Sequence, residues 1–392
     1  MRYKTRVAIH DFVEDHKERI LHFLEELVNC NSFTYNKRGV DAVGEKVARE
    51  IPSCFLHERV PNPATGDQHI FTHIQPGKQP IVLAGHLDTL CPEDSAFHCL
   101  TMQKDKLVGP GVNDMKGGDV TLVWALKALE TCCDISNFSI VSIFNGDEEI
   151  GSPTSSSFFT GMKDKARAAF VFECGGPNGT VVTTRRGLRR QRLHITGQAN
   201  HFGNLKGAKV SAVQELAAKI SAVEALNRPD KTVVLNVGRV EGGLASNIVA
   251  ERATMDFEVR FWEEPEDEKT LNIIQEVALV PTVPGCDMKL ELLSYRPPMK
   301  PTPASMNLFK KIVSLGSELG QDIKEEKRGG VSDACWFSYV GVPTIDGLGP
   351  LGDKDCTPEE YIITETLFQR IELAANLLLA LEETEKGCRR AN

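Results

Sequence analysis

Three apolar runs in this chain end in residues that could do chemistry. IVLAG (81–85) runs into His86, Leu87 and Asp88. FSIVSIFN (138–145) runs into Asp147, Glu148 and Glu149, and AAFVF (168–172) runs into Glu173. Between the first two lies GPGVNDMKGG (109–118), with Asp114 in a glycine-rich turn. Any one of these has an ordinary explanation. HLD could be a solvated turn, and acidic residues gather at helix N-termini because the dipole favours them there. Taken together they are harder to dismiss. Carboxylates carried into a core are costly unless they bind something. An imidazole with several carboxylates is the donor set of a hydrolytic metal site. A carboxylate can also bridge two metals about 3.5–4 Å apart, as in aminopeptidase-like two-metal sites.

Such residues need elements to position them. The three runs are short and apolar, which marks buried strands, and GGDVTLVWALKALETC (117–132) reads as a helix behind a glycine pair. Strands alternating with helices predict an α/β layer with a mostly parallel central sheet flanked by helices. Ligands in such sheets gather at the carboxyl ends of the strands, where the candidate residues lie. HDFVEDHKERILHFLEELVNCNSF (10–33) has helical spacing of Phe12, Ile20, Phe23, Leu24 and Leu27, and is read as one amphipathic helix.

The pattern changes after about residue 181. TVVTTRRGLRRQRLHITG, KTVVLNVGRVEGG and ATMDFEVRFW alternate polar and apolar residues, while 209–227 and 263–280 read as helices. Two helices on a four-stranded antiparallel sheet with one exposed face predict an inserted α+β domain. The expected division is a discontinuous catalytic domain, 1–181 and 299–392, with a lid and dimerisation domain at 182–298 inserted in it. A length of 392 residues also favours two domains.

Composition narrows the function. The net charge of −9 argues against nucleic acid and against an anionic membrane surface. The basic run RRGLRRQR (185–192) is read as a solvated or dimer-edge face. The sequence has no run of 18 apolar residues, and the N-terminus has no apolar segment of the secretory kind. Eleven cysteines without paired spacing fit free thiols in a reducing cytoplasm.

The motifs resemble those of the M20 metallopeptidases, the group that includes carboxypeptidase G2, acetylornithine deacetylase and succinyl-diaminopimelate desuccinylase. GHLDTL (85–90), GPGVNDMKGG, DEEIGS (147–152), FECG (172–175), GQANHFGN (197–204) and the segment 329–362 occur in the family's order and at its spacing. The phrase GVPTIDGLGPLG leans toward the carboxypeptidase G2 branch. The resemblance implies a large zinc-hydrolase domain with an inserted lid. It gives His86, Asp114 and Glu173 to one zinc. Asp114, Glu149 and a C-terminal ligand go to a second, with cobalt or manganese as substitutes. It places a cis peptide after the bridging aspartate, hence at Asp114–Met115. Glu148 becomes the general base toward a metal-activated water, and Asp88 the residue that orients His86. His201 would stabilise the oxyanion across a homodimer interface in the lid. Asn247 and Arg260 would hold the substrate's carboxylate, with Gly330 and Ser332 beside it. Arg260 on its own also reads as a surface arginine.

The departure lies in DCTPEEY (355–361). The family has histidine before Thr-Pro-x-Glu-Tyr, where this chain has Cys356, and no histidine follows His201. Cys356 takes the place, or Asp355 does, or the second site lacks a ligand. Thiolate is a good zinc ligand at about 2.3 Å. The implied function is a zinc-dependent amide hydrolase for a small N-acyl amino acid or peptide with a free carboxylate. The alternative is a pseudoenzyme that binds a ligand or partner and has an impaired second metal site.

Overall fold

The structure, a computed structural model, describes residues 2–227 and 233–389. The chain divides into two compact units. The first comprises 1–184, 301–327 and 332–392, and the second 185–300 with 328–331.

The first unit is built on a six-stranded sheet. In spatial order its strands are Leu56–Val60, Gln68–His73, Ile140–Asn145, Ile81–His86, Ala168–Val171 and Thr344–Ile345. The last four run parallel. The first two form an antiparallel hairpin that joins the sheet antiparallel at Ile140–Asn145. Strands 81–86 and 140–145 are buried at every position, as continuous apolar runs in a sheet covered on both faces should be.

Helix Gly117–Cys132 crosses the sheet with most of its circumference buried, Trp124 included. Helices Arg2–Asp15, Lys17–Val28 and Thr364–Arg389 pack around it and share one apolar core with the sheet. The stretch read as one helix over 10–33 is two helices. The break falls at His16, whose backbone leaves the helical region and whose Nδ1 lies 2.7 Å from the Phe12 carbonyl. The glycine pair that opens helix 117–132 has a steric reason. A Cβ on Gly118 would lie 1.7 Å from the Phe172 carbonyl oxygen. Only glycine lets the helix start come this close to the strand that ends in Glu173.

The second unit is an antiparallel sheet in the order 234–242, 252–261, 187–196, 287–296, with helices Ala212–Glu224 and Glu264–Leu279 on one face. The expected start of the first of these strands, at Lys231 and Thr232, lies outside the described residues. Strand Arg252–Phe261 alternates strictly, with every second residue from Ala253 buried and those between half-buried or, at Arg252, exposed. Leu193, Ile195, Met255, Phe257 and Val259 make its core with the two helices. Period-two alternation thus puts one sheet face on the helices and leaves the other to charged residues.

Candidate metal centre

The parallel strands bring their carboxyl ends to one place in the first unit. Ligand atoms of His86, Asp114 and Glu149 all lie within 4.8 Å of one another. His86 is almost fully buried, and its Nε2 is 3.1 Å from Asp114 Oδ1 and 3.7 Å from Glu173 Oε1. Glu149 Oε1 is buried without a hydrogen-bond partner. Asp114 precedes a cis peptide to Met115. Its turn begins at Gly111, which has φ +68° and no room for a Cβ against Thr89.

The electrostatics are those of a site short of positive charge. Burial alone would lower the pKa of His86, but Asp114, Asp88 and Glu173 outweigh it and hold its proton well above the usual range. Burial and then the charge of Asp114 push the Glu149 carboxyl well up. Clustered carboxylates repel one another unless a cation lies among them.

Asp88 is fully buried and meets four residues. The closer partner of His86 Nδ1 is the Asp88 backbone carbonyl, at 3.0 Å, with the carboxylate at 3.5 Å. The carboxylate accepts the Thr34 hydroxyl at 2.8 Å and the backbone N–H groups of Glu148 and Glu149 at 3.2 and 3.3 Å. One residue therefore sets both the imidazole and the acidic turn. Asp147, also fully buried, fixes that turn from the other side by accepting Thr154 and Ser155 N–H and hydroxyl groups.

At the C-terminal end, Cys356 Sγ lies 3.8 Å from Asp114 Oδ2. Cys356 has φ +60°, a left-handed conformation uncommon for any residue but glycine. Its thiol pKa is pushed far up by desolvation and then by Asp114, Glu149, Glu360 and Asp355. Asp355 turns the other way, toward the Asn113 side chain and the Cys174 thiol. A cavity of about 150 Å³ opens beside the cluster, lined by Asp114, Glu149 and Cys356 together with Leu90, Phe97 and Pro358.

Glu360 is a participant that periodicity does not single out. Its buried carboxylate accepts the backbone N–H groups of Gly111, Asn113 and Asp114 at 3.0, 2.8 and 3.0 Å. Burial pushes its pKa up to about 7 against those hydrogen bonds. The signal available in the sequence was a second glutamate beside Glu359 at the start of an apolar strand.

Ser332 holds its own loop in place. It is fully buried, its hydroxyl donates to Asp346 at 2.6 Å, and the same oxygen accepts the Ala334 N–H. The side chain ties the loop to Asp346 and to its own backbone.

In the second unit, His201 and Asn247 come together. His201 pairs with Ile248 in a two-residue ladder, and Phe202 N–H donates to the Asn247 carbonyl at 2.8 Å; both residues are exposed. Arg260 is half-buried, bound to Glu258 and donating to the Gly329 carbonyl at 2.8 Å. The Gly330 carbonyl accepts Arg185 Nη1 at 3.2 Å.

A mostly parallel α/β sheet that gathers a histidine and several acids at its strand ends defines a metal-dependent hydrolase class. The chain belongs to peptidase family M20/M25/M40, which its residues 82–380 match, and so to a family of hydrolytic enzymes. It is similar to carboxypeptidase G2 of Pseudomonas sp. (strain RS-16), with 25% identity over 94% of this chain and 90% of that protein. It is 26% identical to N-acetyl-L-citrulline deacetylase of Xanthomonas campestris pv. campestris, over 50% of this chain and 54% of that one. The fold is shared with the M20 metallo-carboxypeptidase Sso-CP2 of Sulfolobus solfataricus, at TM-score 0.73 and 16% identity over 92% of this chain and 98% of that chain. Among the described residues no helix is long and apolar enough to cross a membrane.

Proposed function

We propose that the protein is a two-metal amide hydrolase that cleaves a small N-acyl amino acid or short peptide bearing a free carboxylate. The observation that carries this reading is the convergence of His86, Asp114 and Glu149 within 4.8 Å, with a buried Glu149 oxygen left without a partner. The donor set fits zinc. His86, Asp114 and Glu173 would hold one ion, and Asp114, Glu149 and Cys356 the other. When bound, such a pair supplies Lewis acidity and makes a water acidic enough to attack at neutral pH.

The chain's own groups do the rest. Glu148 takes a proton from the attacking water and delivers it to the leaving nitrogen. Asp88 holds the Glu148–Glu149 backbone and the imidazole of His86 in place. Glu360 holds Asp114. His201, from the second unit of a partner copy in a homodimer, donates to the developing oxyanion. Asn247 and Arg260 bind the substrate's carboxylate. The described cysteines are free thiols, which fits work in a reducing cytoplasm.

The test is hydrolysis of a panel of N-acyl amino acids and dipeptides by zinc- or cobalt-loaded protein, beside Glu148→Gln. Activity in the wild type that falls by roughly 10²–10⁴-fold in a metal-retaining variant is the expected result. No hydrolysis by a fully loaded wild type would favour a ligand-binding protein, the reading that the replacement at Cys356 keeps open.

A further inference from the structure

Two adjacent side chains compete for one place beside Asp114, the thiol of Cys356 and the carboxylate of Asp355. The fold separates them. Lys354 and Cys356 both have left-handed backbones, at φ +68° and +60°, so the chain turns sharply on either side of Asp355. Such conformations are unfavourable for residues other than glycine and persist only where the surroundings hold them. With this backbone the Cys356 sulfur lies 3.8 Å from Asp114 Oδ2, while the Asp355 carboxylate turns toward Asn113 and Cys174.

Asn113 is the residue that holds Asp355 away. It is fully buried, its N–H donates to Glu360 Oε1 at 2.8 Å, and its amide oxygen leaves no room for a Cβ on Gly352. Its Nδ2 donates to Asp355 Oδ1, and the Cys174 thiol lies 3.8 Å from Oδ2, so both oxygens of that carboxylate are engaged. The orientation of the amide follows from chemistry, because a carboxylate only accepts and must meet the NH₂ end. That orientation leaves Asn113 Oδ1 buried without a donor among the described residues. A buried acceptor left unpaired is unfavourable. An apolar side chain would avoid that cost and lose only the bond to Asp355.

We propose that Asn113 is a positioning residue that keeps Asp355 out of the second metal site and so gives that site its sulfur donor and its preference for zinc. The proposal rests on the two-metal reading above. Thiolate suits zinc, whereas a carboxylate in its place suits harder ions such as manganese. Without the Asn113 bond, Asp355 competes with Cys356 for the same place from the neighbouring position in the chain.

The experiment loads wild type, Asn113→Ala, Asp355→Ala and the double variant Asn113→Ala/Asp355→Ala with cobalt and records thiolate-to-metal charge-transfer absorption per chain. Each protein is also equilibrated with zinc and manganese together, and its metal content is measured. Neither readout needs turnover. Wild type and Asp355→Ala should show the band. Asn113→Ala should lose at least about half of it, and its zinc-over-manganese preference should fall by at least about tenfold, because the carboxylate displaces the thiolate. The double variant should regain both, since no carboxylate remains to take the place. Simple damage to the loop in Asn113→Ala would not be repaired by removing a second side chain. An unchanged band in Asn113→Ala, a double variant as low as the single one, or no band in wild type or Asp355→Ala overturns the proposal. Failure of the hydrolase reading is seen separately, as a loaded wild type that shows the band and hydrolyses none of the substrate panel.

Discussion

Glu360 Oε1 accepts the backbone N–H of Asp114 at 3.0 Å, across 246 residues of sequence. The same carboxylate takes the N–H groups of Gly111 and Asn113. The turn that presents Asp114 is therefore shaped by a residue near the end of the chain. Glu360→Ala should leave three buried amides without an acceptor and let Asp114 drift. Losing a buried acceptor costs about 1–3 kcal/mol, and misplacement of a reacting group by about 1 Å costs on the order of 10²-fold in rate. The expected result is a fall in activity of about that size with weaker metal retention, read by steady-state kinetics and elemental analysis. Glu360→Gln, which keeps one oxygen in place, should lose less. Full activity in Glu360→Ala would contradict this role.

Asp88→Asn tests the double duty of Asp88. Asparagine keeps one acceptor oxygen but turns an NH₂ group toward amides that are themselves donors. The Glu148–Glu149 turn and His86 should both shift. A loss of roughly 10–100-fold in kcat is expected, in line with changes to groups that orient metal ligands. The Thr34→Val variant removes only one donor to Asp88 and should cost far less. Equal effects of the two substitutions would show that the carboxylate acts through Thr34 alone.

Metal content decides the role of Cys356. The sulfur lies 3.8 Å from Asp114 Oδ2, whereas Asp355 is engaged with Asn113. Two metals per wild-type chain, falling to one in Cys356→Ala and returning in Cys356→His, is the expected pattern. Cobalt-loaded wild type should also show thiolate-to-metal charge-transfer absorption that both variants lack. Two metals in all three proteins would give the position to another group.

His69 gives a pH dependence of stability away from the centre. It is buried, and burial followed by the charges of His57 and Arg59 lowers its pKa to about 4, while Asp67 and Asp41 act weakly the other way. The folded protein thus binds its proton less readily than the unfolded chain, whose histidine titrates near 6.5. The stabilisation is complete above that value and is lost as pH falls from about 6.5 toward 4, to the extent of roughly 3 kcal/mol. Denaturant unfolding of metal-free wild type and His69→Gln between pH 7 and 4 checks it. The variant should lack that part of the decline, and parallel curves for the two proteins would rule it out.

Sequence patterning determined which residues are candidates and which layer they sit in. Short continuous apolar runs bounded by turn residues read as strands covered on both faces, which places the polar residues that end them at the carboxyl edge of one sheet. Strict alternation in 252–261 could only be a sheet with one exposed face. Both are local periodicities, legible without a fold. The hairpin of Leu56–Val60 and Gln68–His73 was not legible, because the first of these strands is polar and exposed at the sheet edge and carries no apolar pattern. The break at His16 was equally hidden, since the apolar spacing continues through it.

What only the tertiary structure decided is how the polar groups are divided among partners. Asp88 and Glu360 differ from ordinary acids because backbone amides far away in sequence converge on them. The hydroxyl of Ser332 goes to Asp346, 14 residues further on, which its place in the sequence does not reveal. Periodicity records which side of an element a residue faces. It does not record which donor meets which acceptor, because that depends on contacts closed by the fold across hundreds of residues.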